Sequence, residues 1–205
     1  MGAGGEDRSA FALYAGRLSR EKGVETLVQS WSHVAGSLRL RIVGDGPMQE
    51  ELLAYAQRDP RIELLGRRSL CEVQELMRQA SVVVVPSECY ETFGRVIIES
   101  FAAGTPVLAS RIGAIAELLG DEQAGRLFQP GDPLDLACGL NAMMADKDLQ
   151  VQMQRAARAE FEARYTSQVN YEALLQIYSE ALSSAKNTKT IQACNARHRY
   201  EVSAD

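Results

Sequence analysis

At 205 residues the chain is long enough for one sizeable α/β domain and short for two. Its 46% hydrophobic and 24% charged content is ordinary for a globular protein, and no apolar run reaches the roughly 18 residues of a membrane span. A formal net charge of -5 argues against broad electrostatic binding to nucleic acid or acidic membrane, and leaves room for a local basic pocket.

Met1 to Ala10 is glycine-rich and acidic, without the apolar run of a signal peptide, and is expected to be disordered. Glu6 stands where a myristoylation motif needs Ser or Thr. From residue 11 onward, short runs rich in Val, Ile and Leu alternate with amphipathic segments. The predicted strands are Phe11–Ala15, Leu38–Val43, Ile62–Leu65, Val82–Val85, Val107–Ala109 and Gly125–Phe128. The predicted helices between them are Val24–Val34, Met48–Gln57, Leu70–Gln79, Arg95–Ala103 and Gly113–Leu119. Continuous apolar strands suit a parallel sheet covered on both faces, and alternation with helices is the pattern of βαβ units. The expected fold is therefore α/β, a doubly wound Rossmann-like parallel sheet.

After Gly131 only helical patterns follow, at Asp132–Ala145, Asp148–Arg164 and Ser167–Ser184, with Asp132 and Thr166 or Ser167 as caps. Tyr171, Leu174, Leu175, Tyr178 and Leu182 recur at helical spacing, a stripe expected either to pack on the sheet domain or, if its partner half lies elsewhere, to stand exposed. The globular domain is expected over 11–185 and a polar tail over 186–205. Four scattered cysteines form no zinc or disulfide pattern, so a reducing, cytoplasmic setting fits, with Cys138 read as a small buried residue. His33 and His198 have no clustered ligands, and Asp146-Lys147-Asp148 reads as helix punctuation; no metal site is expected.

In open parallel sheets ligands sit beyond the carboxyl ends of the strands. The first strand leads into Gly16-Arg17-Leu18-Ser19-Arg20-Glu21-Lys22-Gly23, whose Arg17 and Lys22 are a forked guanidinium and a compact ammonium suited to phosphate oxygens. Spacing alone favours a plainer reading, a solvated loop with Glu21 or Glu25 neutralising its cations. The second strand meets Gly44-Asp45-Gly46-Pro47, which reads either as a close backbone approach to a ligand or as a tight turn. Gln49 replaces the third glycine of a dinucleotide fingerprint, and no Walker-type loop exists, so simple NAD and ATP readings weaken.

The fourth strand is followed by Pro86-Ser87-Glu88-Cys89-Tyr90-Glu91-Thr92-Phe93-Gly94-Arg95. A helix starting near Gly94 offers free amides to an anion, and Glu99, five residues on, lies roughly 7.5 Å along the axis, suited to ribose hydroxyls. Glu91 would face whatever hangs on the far side of a diphosphate. In the plainer alternative both glutamates occupy a polar helix face, but Ile97, Ile98, Phe101 and Ala102 surround Glu99, and a carboxylate there needs a partner.

With these segments the chain resembles the retaining glycosyltransferase family 4, of GT-B fold. The resemblance is carried by Gly16-Arg17-Leu18-Ser19 with Lys22-Gly23, Gly44-Asp45-Gly46-Pro47, Pro86-Ser87, Glu91-Thr92-Phe93-Gly94 and Glu99 to Val107. Gly113, Glu117, Gly125, Phe128 and Phe161-x-x-x-Tyr165-Thr166 complete an ordered set over about Phe11 to Leu182. It implies half of a GT-B fold, the half that binds a nucleoside-diphosphate sugar. In that scheme Arg17, Lys22 and Glu91 are catalytic, the cations on the leaving diphosphate and Glu91 beside the transferred sugar. Gly16, Gly46, Phe93, Gly94, Arg95 and Glu99 bind the donor, with Glu99 on the ribose, and Arg67 marks where the base is held. No metal or other cofactor is implied, and no nucleic acid. The acceptor-binding half is expected outside this chain, in a longer product or a partner chain, and peripheral membrane contact is left open. Two alternatives stand beside it: a non-catalytic nucleotide-sugar-binding module, and a sugar-nucleotide epimerase with the same crevice.

Overall fold

The computed structural model describes residues 11–182; the expectations for Met1–Ala10 and for 183–205 lie outside the described residues. Two compact units divide between Glu162 and Ala163. In the first, six strands alternate with helices: β1 Phe11–Ala15, α1 Val24–Ser30, β2 Arg39–Val43, α2 Gln49–Arg58, β3 Ile62–Gly66, α3 Leu70–Gln79 and β4 Val82–Val85. They continue with α4 Arg95–Ala102, β5 Val107–Ser110, α5 Gly113–Leu119, β6 Gly125–Phe128 and α6 Pro133–Ala145, and α7 Lys147–Arg164 runs two residues past the division.

The strands form one sheet in the order β3-β2-β1-β4-β5-β6, and all of its pairings are parallel. The doubly wound expectation is met. Alternate residues of the central strands serve opposite faces, as a period of two requires. Ala12, Tyr14, Leu40, Ile42, Val82, Val84 and Leu108 join Leu27, Trp31, Leu52, Leu136 and Leu140 in one core beneath α1, α2 and α6. Each large apolar side chain fully buried there contributes about 1.5–3 kcal/mol. The four valines of β4 are all buried, which is why a strand without any alternation of polarity forms.

Boundaries shift where side chains dictate it. The helix expected to reach Val34 ends at Ser30 and tightens into a 3-10 turn over Trp31–His33. That turn drops Trp31 fully into the core while its indole N–H donates to the Leu38 carbonyl at 3.3 Å. Arg61, just before β3, ties the same turn down by donating to the carbonyls of Trp31, Val34 and Gly36 while paired with Asp59 at 2.7 Å. Asp132 caps α6 through the Leu134 and Asp135 amides. Asp146 accepts from the amides of Asp148 and Leu149, so the Asp-Lys-Asp segment is helix punctuation, as expected. Cys138 is a correction. It is exposed, because α6 turns Leu136, Ala137, Leu140 and Met143 inward and leaves position 138 outside.

The second unit contains a helix over 167–182, at whose start the Thr166 hydroxyl accepts from the Val169 amide at 3.3 Å. Tyr171, Leu174, Leu175, Tyr178 and Leu182 do recur along it, yet each is exposed, between 44% and 64%. A helical period fixes which face is apolar and says nothing of what covers it.

Candidate active site

Every candidate residue lies at the carboxyl edge of the sheet. Gly16, Arg17 and Lys22 follow β1, Gly46 follows β2, Arg67 follows β3, and Glu91, Phe93 and Gly94 follow β4, with Arg95 and Glu99 in the opening turns of α4. Strand order reverses between the neighbours β1 and β4, the point beyond which open α/β sheets hold their ligands.

Two loops are stapled together across that switch point. The Lys22 ammonium donates to Glu91 Oε1 at 2.9 Å, and the Ser87 hydroxyl donates to the same oxygen. The Glu88 amide donates to the Glu21 carbonyl at 3.0 Å, and the Thr26 hydroxyl donates to the Glu88 carboxylate. Gly23, at φ 65°, lets the backbones touch: a Cβ there would stand 1.8 Å from the Pro86 carbonyl oxygen. The solvated-loop reading of Lys22 therefore fails. Glu25 is taken by Arg20 and Glu21 by Ser19, and Lys22 reaches across 69 positions to Glu91.

Partial burial pushes the Glu91 carboxyl up, but the hydrogen bonds from Ser87 and Lys22 and the Lys22 charge more than offset it and hold it below the usual carboxylate value. It is thus ionised at neutral pH, an acceptor with capacity beyond its present partners. Arg17 is exposed and makes no ion pair among the described residues. Of the loop's three cations, Lys22 is held by Glu91 and Arg20 lies near Glu25 and Glu51, while Arg17 is open to an arriving anion.

Gly94 precedes α4 in the left-handed conformation at φ 67° with no side-chain cap; the Ile97 amide donates to the Gly94 carbonyl at 2.9 Å, and the amides of Arg95 and Val96 ahead of it have no side-chain acceptor among the described residues. A Cβ on Gly94 would stand 2.9 Å from Leu118. Arg95 pairs with Glu99 at 3.0 Å, supplying the partner expected for that carboxylate, which is 25% exposed. Ile97, Ser100 and Phe101 bury the opposite face of the helix. Phe93 is exposed.

Gly44 and Gly46 do not form a free loop. Their absent side chains make room for the backbone of Gly16 and Leu18, at 1.8 and 2.3 Å from the would-be Cβ atoms. The Gly16 amide donates to Val43, the Leu18 amide to Asp45 and the Met48 amide to Leu18. The tight-turn reading accounts for both glycines, and Gly46 braces the Arg17 segment from behind. Arg67 is 84% exposed and faces Asp45 at 3.8 Å. The contacts thus make three groups: Lys22 with Glu91, Arg95 with Glu99, and Arg67 with Asp45.

Sequence reasoning gave no role to Tyr14, Ser87, Thr26 or Glu88. Ser87 stood in the matched Pro86-Ser87 and Glu88 in the same loop, but only the fold reveals their partners. Among the described residues no group of three or more His, Cys, Asp or Glu could hold a metal ion, and no helix is long and apolar enough to cross a membrane.

The sequence model of the family "Glycosyl transferases group 1" matches residues 10–146, most of the first unit and over half of the chain. The chain belongs to this glycosyltransferase group. Among curated group members it is 34% identical over 186 residues to the D-inositol 3-phosphate glycosyltransferase of Xylanimonas cellulosilytica, covering 84% of this chain and 43% of that protein. It is 32% identical over 161 residues to the sulfoquinovosyl transferase SQD2 of Arabidopsis thaliana, covering 77% of this chain and 31% of that protein. Among solved structures it resembles Anabaena Alr3699/HepE in complex with UDP, with a TM-score of 0.75 and 28% identity, covering 86% of this chain and 49% of that one. This glycosyltransferase chain spans less than half the length of these relatives. Its doubly wound sheet corresponds to one half of a GT-B fold.

Proposed function

We propose that the chain binds the donor in a retaining, family 4 type glycosyltransferase, which moves a hexosyl-type sugar from a nucleoside diphosphate to an acceptor hydroxyl. The observation that carries this reading is the Lys22–Glu91 contact, which joins the cationic loop after β1 to the acidic loop after β4 beside the uncapped start of α4. A diphosphate at this point would meet Arg17, Lys22 and the α4 amides. Its ribose would meet Glu99, and its sugar would lie toward Glu91. Charge growing on the departing phosphate is then met by preorganised protein cations and amides, so the reading needs no metal cofactor. Binding of UDP by Alr3699/HepE supports the ligand class.

The acceptor site belongs, in this reading, to residues or a partner chain beyond the donor half. Three free cysteines among the described residues fit a reducing, cytoplasmic setting.

Calorimetry against UDP, GDP, ADP and their sugars tests the reading. Saturable binding of one nucleoside diphosphate and its sugar is expected, much tighter than the matching monophosphate. Equal affinity for monophosphate and diphosphate, or no binding at all, would overturn it. Binding without transfer or donor hydrolysis favours the non-catalytic module, and an epimerised free nucleotide sugar favours the epimerase.

A further inference from the structure

Tyr14, the penultimate residue of β1, has its side chain on the α1, α2 and α6 face of the sheet and is 4% exposed. Its hydroxyl emerges at the carboxyl edge and donates to the Arg17 carbonyl at 2.7 Å. The residues on either side of Arg17 are held by other means: the Gly16 amide donates to Val43, and Leu18 bonds both Asp45 and Met48 through its backbone. The Arg17 carbonyl accepts from the phenol and, at 3.1 Å, from the Ser19 amide, and the guanidinium makes no ion pair among the described residues. The direction in which Arg17 leaves the chain is thus set by its backbone. Space is tight around this bond, since a Cβ on Gly16 would stand 3.0 Å from the Tyr14 oxygen.

We propose that Tyr14 is a positioning residue for the donor diphosphate: its hydroxyl locks the Arg17 carbonyl and so aims the guanidinium at the phosphate oxygens. The inference rests on the donor-binding reading of the same crevice. It adds to that reading a buried group that touches no substrate and acts through another residue. Burial, and then the nearby charges of Glu91 and Glu21, push the phenol well above the ordinary tyrosine value. The hydroxyl therefore stays protonated at neutral pH and remains a donor to the Arg17 carbonyl.

A double-mutant cycle with Tyr14→Phe and Arg17→Ala, read by calorimetry with UDP, GDP and ADP, tests this. Tyr14→Phe is expected to weaken binding of the preferred diphosphate about three- to tenfold, the size of one net hydrogen bond. Adding it to Arg17→Ala is expected to weaken binding no further, because the guanidinium it aims is gone. Gly16→Ala, whose added carbon crowds the same hydroxyl, is the second variant and is expected to show the same coupling should Tyr14→Phe fail to fold. An equal loss in the presence and absence of Arg17, or an unchanged affinity in Tyr14→Phe, overturns the proposal and leaves the donor reading standing. Wild-type protein that binds none of the three diphosphates overturns both.

Discussion

Lys22→Ala, made in the assembled enzyme, is expected to lower kcat/KM for sugar transfer by about 2–4 kcal/mol of transition-state stabilisation, roughly 30- to 1000-fold. Arg17→Ala is expected to act in the same range. A departing nucleoside diphosphate gains negative charge as its bond to the sugar breaks, and only groups already in place lower that barrier. Lys22 is in place because Glu91 holds it at 2.9 Å, at the seam between the β1 and β4 loops. Its loss also strands a half-buried carboxylate, so part of the effect is the cost of leaving Glu91 without its ammonium. Glu91→Gln paired with Lys22→Ala separates the two contributions. Wild-type kcat/KM in Lys22→Ala would remove Lys22 from the mechanism.

Gly23→Ala is expected to cost about 2–5 kcal/mol of folding stability, the sum of a left-handed backbone and an overpacked contact. The residue sits at φ 65°, and a methyl group would fall 1.8 Å from the Pro86 carbonyl oxygen, inside another backbone rather than beside a yielding side chain. Gly36 is the built-in control. It has φ 71° with nothing within 4 Å, so Gly36→Ala carries only the backbone term of about 1–2 kcal/mol. Urea unfolding of both variants checks the difference. Equal losses at the two sites would mean that the β1 and β4 loops yield freely, and a staple that yields cannot hold Lys22 against Glu91.

Much of this architecture is legible in the chain because both faces of the sheet are covered. Uninterrupted apolar runs such as Val82–Val85 and Phe11–Ala15 have no other stable home, and their observed limits coincide with the expected ones. Helix ends were less legible where a single side chain decides them, as Trp31 does by tightening α1 into a 3-10 turn. Burial failed at Cys138, which the α6 periodicity turns outward although the residue type suits a core. At the site, the sequence reveals which residue types lie after which strand. It does not reveal that Lys22 passes over Glu21 and Glu25 to reach Glu91, since that depends on two loops meeting at the reversal of strand order. Nor does it reveal that Gly46 leaves room for Leu18, or that a core tyrosine reaches the Arg17 carbonyl. Those contacts are long-range or backbone-directed, and no local pattern encodes them.

The central claim is spatial: one diphosphate gathers Arg17, Lys22 and the start of α4. A crystal structure with whichever nucleoside diphosphate binds in solution tests it most directly. Phosphate oxygens are expected within hydrogen-bonding distance of the Arg17 and Lys22 side chains and the Arg95 and Val96 amides, with ribose hydroxyls on Glu99. A nucleotide seated elsewhere would contradict it, for example in the cavity of about 620 Å³ lined by Trp31, Tyr55, Arg58 and Pro60 at the amino edge of the sheet.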